Sequence, residues 1–128
     1  WELWSSDGTV AGTAMVGEIH PTGSPNIYYM TCYQDRLYFR ASDGTNGYEL
    51  WRSNGSTLEM VADIYTGSNS SYPQQLTVAH NRLYFKARTA ESNDELFGYN
   101  GTGSPQLYDL KPGTNSSNLK IVGGDEFL

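Results

Sequence analysis

YELWRSNGS, Tyr48 to Ser56, is a near copy of WELWSSDGT, Trp1 to Thr9, and a third version, DELFGYNGT, occupies Asp94 to Thr102. The Glu-Leu-Trp/Phe cores at Glu2, Glu49 and Glu95 are about 47 and 46 residues apart, a period that marks an array of like units. Other features keep step with them. Asp7-Gly8, Asn54-Gly55 and Asn100-Gly101 follow at one offset, then Glu18-Ile19, Asp63-Ile64 and Asp109-Leu110. Leu37-Tyr38-Phe39 returns as Leu83-Tyr84-Phe85, each trailed by a basic residue and an alanine (Arg40-Ala41, Lys86-Ala87).

Each feature has a mechanical reading. Asp-Gly or Asn-Gly between two apolar runs predicts a hairpin with a type I′ turn, which needs φ > 0 at both central residues. QQLTVAH and RLYFKA flank a second short connection at His80-Asn81. A unit of about 46 residues therefore holds four short strands, centred near Leu76, Tyr84, Leu96 and Leu107, and nowhere does an apolar 3.6-residue period run long enough for a helix. Aromatic and β-branched residues in the strands, with Gly, Asn and Ser between them, suit an all-β chain.

A repeated four-stranded antiparallel meander matches the blade of a β-propeller. Radial stacking covers both faces of a blade, which accounts for Leu50 on one face and Trp51 on the other. A β-sandwich is the structural alternative, although it has no need of a strict repeat. The units run as a half blade at 1–22, blades at 23–66 and 67–112, and a half blade at 113–128, with strands expected around Leu119–Ile121 and Phe127–Leu128. The two halves sum to one blade, so a seam pairing the last strands with the first would hide both edges. Three blades fall short of the usual four to eight. The expected partners are therefore a second copy in a head-to-tail ring, further copies in a filament, or adjoining repeats of a longer polypeptide.

The stretches ELWSSDGTVAGTAMVGEI, RLYFRASDGTNGYELW and PGTNSSNL resemble the ELWxxDGT tandem-repeat proteins over essentially the whole sequence. The third unit departs most, with Phe97 in place of Trp and Tyr99-Asn100 in place of Ser-Asp. The resemblance implies extracellular or cell-surface β-propeller repeats in an adhesive or scaffolding setting. It implies no catalytic residue set and no cofactor.

Composition narrows the function classes. The formal net charge of −6, with eight scattered basic residues, disfavours nucleic acid. No apolar run approaches the roughly 18 residues of a membrane span. The single cysteine, Cys32 in YYMTCY, excludes an intrachain disulfide, fits no zinc or redox spacing, and is expected as a small buried thiol. His20 and His80 are expected in exposed loops, and no Ser-His-Asp or G-x-S-x-G pattern accompanies them, so the chain is read as no enzyme.

The recurring carboxylates Glu2, Glu49 and Glu95, and likewise Glu18, Asp63 and Asp109, are expected to play one local role in each unit, bonding a backbone amide or a neighbouring strand's side chain, since a structural device repeats and an active site is built once. The loop SDGTNGYE, Ser42 to Glu49, has oxygen groups in number but not in EF-hand spacing, and is expected to be turn chemistry with no bound metal. Sequons at Asn54, Asn69, Asn100 and Asn115 form two repeat-equivalent pairs and are the candidate glycosylation sites. Tyr28, Tyr29, Tyr65 and Tyr72, with Trp51, are candidates for stacking on sugar rings. Two functions follow: a self-assembling structural module with an exposed, glycosylated rim, or a carbohydrate-binding propeller.

Overall fold

The computed structural model describes residues 1–110 and 120–121, and among these there is no helix. Ten strands among the described residues make three antiparallel sheets. Strands β1 (Leu3–Ser5) and β2 (Ala14–Gly17) form a two-stranded sheet. Strands β3 (Tyr28–Tyr33), β4 (Arg36–Ser42), β5 (Tyr48–Ser53) and β6 (Leu58–Ala62) form a four-stranded meander. Strands β7 (Gln74–Ala79), β8 (Arg82–Ala87), β9 (Glu95–Tyr99) and β10 (Gln106–Tyr108) form a second. The sheets fall inside the expected units 1–22, 23–66 and 67–112. The expected half unit 113–128, including the strands near Leu119 and Phe127, lies outside the described residues except for Lys120 and Ile121, whose amide donates to Gln75 Oε1 at 2.7 Å.

The repeat extends to backbone conformation. Positive φ occurs at Asn26, Tyr29, Gln34 and Asp35, and again 46 residues on at Tyr72, Gln75, His80 and Asn81. Gln34-Asp35 and His80-Asn81 each carry two successive left-handed residues, so these connections, β3 to β4 and β7 to β8, are the two-residue primed hairpins. Tyr29 and Gln75 sit at matching bulges in β3 and β7.

The Asn-Gly connections differ from the sequence expectation. Between β5 and β6 only Gly55 is left-handed, and the loop is an Asx turn: Asn54 Oδ1 accepts from the amides of Ser56 (3.0 Å) and Thr57 (2.9 Å). Asp7 Oδ1 accepts from Thr9 in the same way, and Asn100 Oδ1 from Thr102. The hairpins form as expected, but a side-chain oxygen of Asp or Asn closes them, where the sequence reading placed a second φ > 0 residue.

The middle sheet is covered on both faces. On one side Tyr38 and Leu50 join Leu83, Phe85, Ala87, Phe97 and Tyr99 of the second meander in one cluster. On the other, Phe39 and Ala41 pack with Ile19 and with half-buried Leu3 and Trp51. Tyr38, Phe39, Leu50, Leu83 and Phe85 have no exposed surface, and burying each contributes about 1.5–3 kcal/mol. The meanders meet at their first strands: β3 lies against β7, Thr31 Oγ1 donates to the Leu76 carbonyl (3.2 Å), and the Tyr33 hydroxyl donates to the Asn81 carbonyl (2.8 Å). Arg52 ties the far strands, donating to the Tyr99 hydroxyl and the Gly101 carbonyl while it pairs with Glu59.

Candidate functional site

The recurring glutamates do one local job three times. Glu2 Oε2 accepts from the Ile19 amide, Glu49 Oε2 from Ile64 and Glu95 Oε2 from Leu110, so each clamps its strand to the end of the following one. Glu49 does more. Its Oε1 accepts from the Ser71 amide at 2.9 Å and its Oε2 from the Ser71 hydroxyl at 2.6 Å, which ties the loop after β6 to the start of β5. Burial pushes the Glu49 pKa up to about 7, against the bonds from Ser71 and Ile64 that favour the ionised form. These carboxylates are spent on backbone amides.

The loop after β4 behaves as a turn. Asp43 Oδ1 accepts from Thr45 and Asn46 and its Oδ2 from the Asn46 side chain. Burial raises the Asp43 pKa, but these three donors outweigh it and hold the carboxyl below its usual range. Among the described residues no three of His, Cys, Asp or Glu gather to hold a metal ion.

Two sequence expectations are corrected. Cys32 is exposed: the β3 alternation turns Tyr33 into the core and leaves Cys32, paired with Leu37, on the open side of a first strand. His20 is half-buried, because its ring packs on Gly23 and Gly44, where an added Cβ would crowd the imidazole. His80 is exposed in its hairpin.

The aromatic candidates divide. Trp51 lies between sheets with Ile19 and Phe39. Tyr28, Tyr29 and Tyr72 converge with Tyr48 around one cation: the Arg40 guanidinium lies 4.8, 4.9, 5.8 and 5.4 Å from those four ring centres. Cross-strand register produces this arrangement, because Tyr28 pairs directly with Arg40 and the Tyr29 bulge brings a second ring to the same cation. Tyr48 and Tyr72 stack at 5.5 Å, which carries the cluster across to the loop before β7. Arg88 reaches the same Tyr72 ring at 4.8 Å.

Next to it Tyr65, Ser68, Asn69, Ser70, Tyr72 and Arg88 line a groove of about 360 Å³. Its floor depends on Gly47, left-handed at φ +69°, where a side chain would collide with the Asn69 carbonyl. Tyr48 donates its amide to Ser70 Oγ (2.9 Å), and Arg88 donates its own to the Ser71 carbonyl (2.9 Å).

Sequence reasoning missed Arg40, Arg88 and Tyr48. The signal for Arg40 was present in the basic residue that trails each Leu-Tyr-Phe. Of the sequon asparagines, Asn54, Asn69 and Asn100 are exposed, while Asn115 lies outside the described residues. A second groove, of about 330 Å³, runs between β1 and β3, lined by Trp1, Glu2, Leu3, Ile27, Tyr28 and Met30.

No protein-family model, curated protein or solved structure matches the chain.

Proposed function

We propose that the chain is a non-enzymatic, extracellular β-propeller module that assembles with further copies of itself by completing the sheet begun by β1 and β2. The open side of β1 carries this reading. In both four-stranded sheets the strand equivalent to β1 has a partner on each edge: β5 lies between β4 and β6, and β9 between β8 and β10. β1 has β2 alone. One repeat on, the space corresponding to the groove between β1 and β3 is the space between β5 and β7, and there β3 and β4 pack. The groove thus stands where two strands of the same repeat would pack, and Trp1, Leu3, Ile27, Tyr28 and Met30 give it an apolar lining, while Trp4 and Met15 of the same two-stranded sheet are exposed beside it. An open apolar edge of this kind is a template for strand addition. The resemblance to the ELWxxDGT repeats agrees with this reading, and Asn54, Asn69, Asn100 and Asn115 are the proposed glycan attachment sites on its exposed loops.

Sedimentation of the chain over a range of concentrations tests the proposal. A dimer or larger species that Trp4→Glu converts to monomer is expected. A species that stays monomeric at every concentration contradicts it.

A second reading, carbohydrate binding, is favoured by one observation: the polar groove walled by Tyr65 and Tyr72 beside the Arg40 and Arg88 guanidinium groups.

A further inference from the structure

The groove has a chemical character that narrows its ligand. Its lining consists of two tyrosine rings, the small polar side chains of Ser68, Asn69 and Ser70, and one guanidinium, with no aliphatic side chain among them. Ring surface beside hydroxyl and amide groups suits a polyhydroxylated ring, which offers apolar C–H faces and a rim of hydrogen-bonding groups.

The cation adds a charge requirement. Arg88 is anchored at both ends, its amide on the Ser71 carbonyl and its guanidinium over the Tyr72 ring, so the fork is held in place before any ligand arrives. Among the described residues its buried Nε has no hydrogen-bond acceptor; Asp94 Oδ1 stands 3.6 Å away, and the same carboxylate meets Lys86 through Oδ2 at 3.2 Å. The side chain is still 42% exposed. A second cation stands behind it: Arg40 forms no ion pair among the described residues, is ringed by tyrosines, and has a buried Nε with no acceptor. In a chain of net charge −6, two guanidinium groups converging on one tyrosine make a local positive field in a negative surround.

That field is modest. Asp94 offsets part of it, which fits a single carboxylate met by a guanidinium fork better than a run of phosphates or sulfates.

We propose that the Tyr65–Tyr72–Arg88 groove binds an acidic saccharide, with the carboxylate of a hexuronate unit on the Arg88 guanidinium and its ring against the tyrosines. This deepens the carbohydrate-binding reading and rests on it. Arg40 acts at longer range, biasing the groove toward anions through Tyr72 without touching the ligand.

Titration calorimetry with glucuronate and galacturonate trisaccharides, their methyl esters and neutral trisaccharides is the test, run on protein whose mass equals the bare polypeptide, because a glycan on Asn69 would fill the groove. At least one uronate trisaccharide is expected to bind, at least tenfold more tightly than its methyl ester. Arg88→Gln should remove that preference while leaving the far-ultraviolet spectrum unchanged, and binding should weaken as salt is raised. Should Arg88→Gln disturb folding, amide chemical shifts in the unaltered protein serve instead, and the changes on titration should centre on Ser68 to Ser70.

Failure of every saccharide to bind overturns both the acidic-ligand proposal and the carbohydrate reading beneath it. Equal binding of neutral or esterified sugars through shifts at Ser68 to Ser70 overturns the acidic class alone. Binding that persists unchanged in a folded Arg88→Gln variant, or shifts confined to other strands, overturns the site.

Discussion

Glu2 and Glu49 accept the same hydrogen bond from the same place in their units, yet Glu49 has no exposed surface and Glu2 is half-buried. The contrast runs through the strands that carry them. Trp4 is 61% exposed, whereas Phe97 at the equivalent place is 4% exposed. Leu3 is half-buried where Leu50 is fully enclosed. The local devices, clamp and Asx turn, are therefore complete in the two-stranded sheet. What it lacks among the described residues is a strand on the other edge of β1, and with it the neighbouring sheet's cover. Local sequence writes the hairpin, and burial is conferred by the adjoining unit, as in any array whose elements cannot cover their own apolar faces.

Substitutions at matched positions sharpen the contrast. Leu50→Ala opens a cavity at the centre of the shared cluster and is expected to cost about 2–5 kcal/mol, read from denaturant midpoints. In a chain whose β1 edge is unfilled, Leu3→Ala is expected to cost less than about 1.5 kcal/mol, because its site can relax toward solvent. Equal costs at Leu3 and Leu50 would break the comparison.

Glu49→Ala strands the buried Ser71 amide and the half-buried Ile64 amide and is expected to cost about 2–3 kcal/mol. Glu2→Ala should cost about a third of that, since half-buried Glu2 accepts from the Ile19 amide, whereas Glu49 accepts from two amides and the Ser71 hydroxyl.

The Glu49 clamp also has a pH signature. Its carboxyl is held at about 7 when folded, against an ordinary value of 4.5, so the folded state binds the proton more tightly. Stability from this group is fully present below pH 4.5 and is lost as pH rises through 7, a decline of about 2 kcal/mol between pH 5 and 7. Thermal unfolding of Glu49→Gln across that window should show the slope removed.

At the small end, Asn54→Ala and Asn100→Ala each delete an Asx turn and are expected to cost about 0.5–1 kcal/mol, alike in both sheets. Unequal values would mean that the turns are not interchangeable parts.

Much of this was legible from residue spacing. The Glu-Leu-Trp period located the sheets, the two-residue connection at His80-Asn81 located a hairpin, and repetition of the glutamates pointed to one local structural role in each unit, which the bonds to the Ile19, Ile64 and Leu110 amides show to be a backbone one. Leu50 and Trp51 face opposite sides of the middle sheet, as their adjacency implied.

What escaped was cooperative in three dimensions. The Arg40 cluster needs Tyr28 from β3, Tyr48 from β5 and Tyr72 from the loop before β7, and no one-dimensional pattern unites them. Cys32 looked buried because its neighbours are aromatic, but strand alternation and the open side of β3 decide its exposure. The His20 ring is covered through Gly44, 24 residues away in the chain.

The account turns on whether β1 acquires a second strand when copies meet. Hydrogen exchange of the Leu3–Ser5 amides in the assembled protein measures this directly. The account predicts that amides of β1 without a bond to β2 are protected to the degree seen in Leu50–Arg52 of β5, and that Trp4→Glu abolishes the protection. Exchange of those amides at the rate of an unstructured peptide, with the protein at concentrations where its copies are associated, would contradict it.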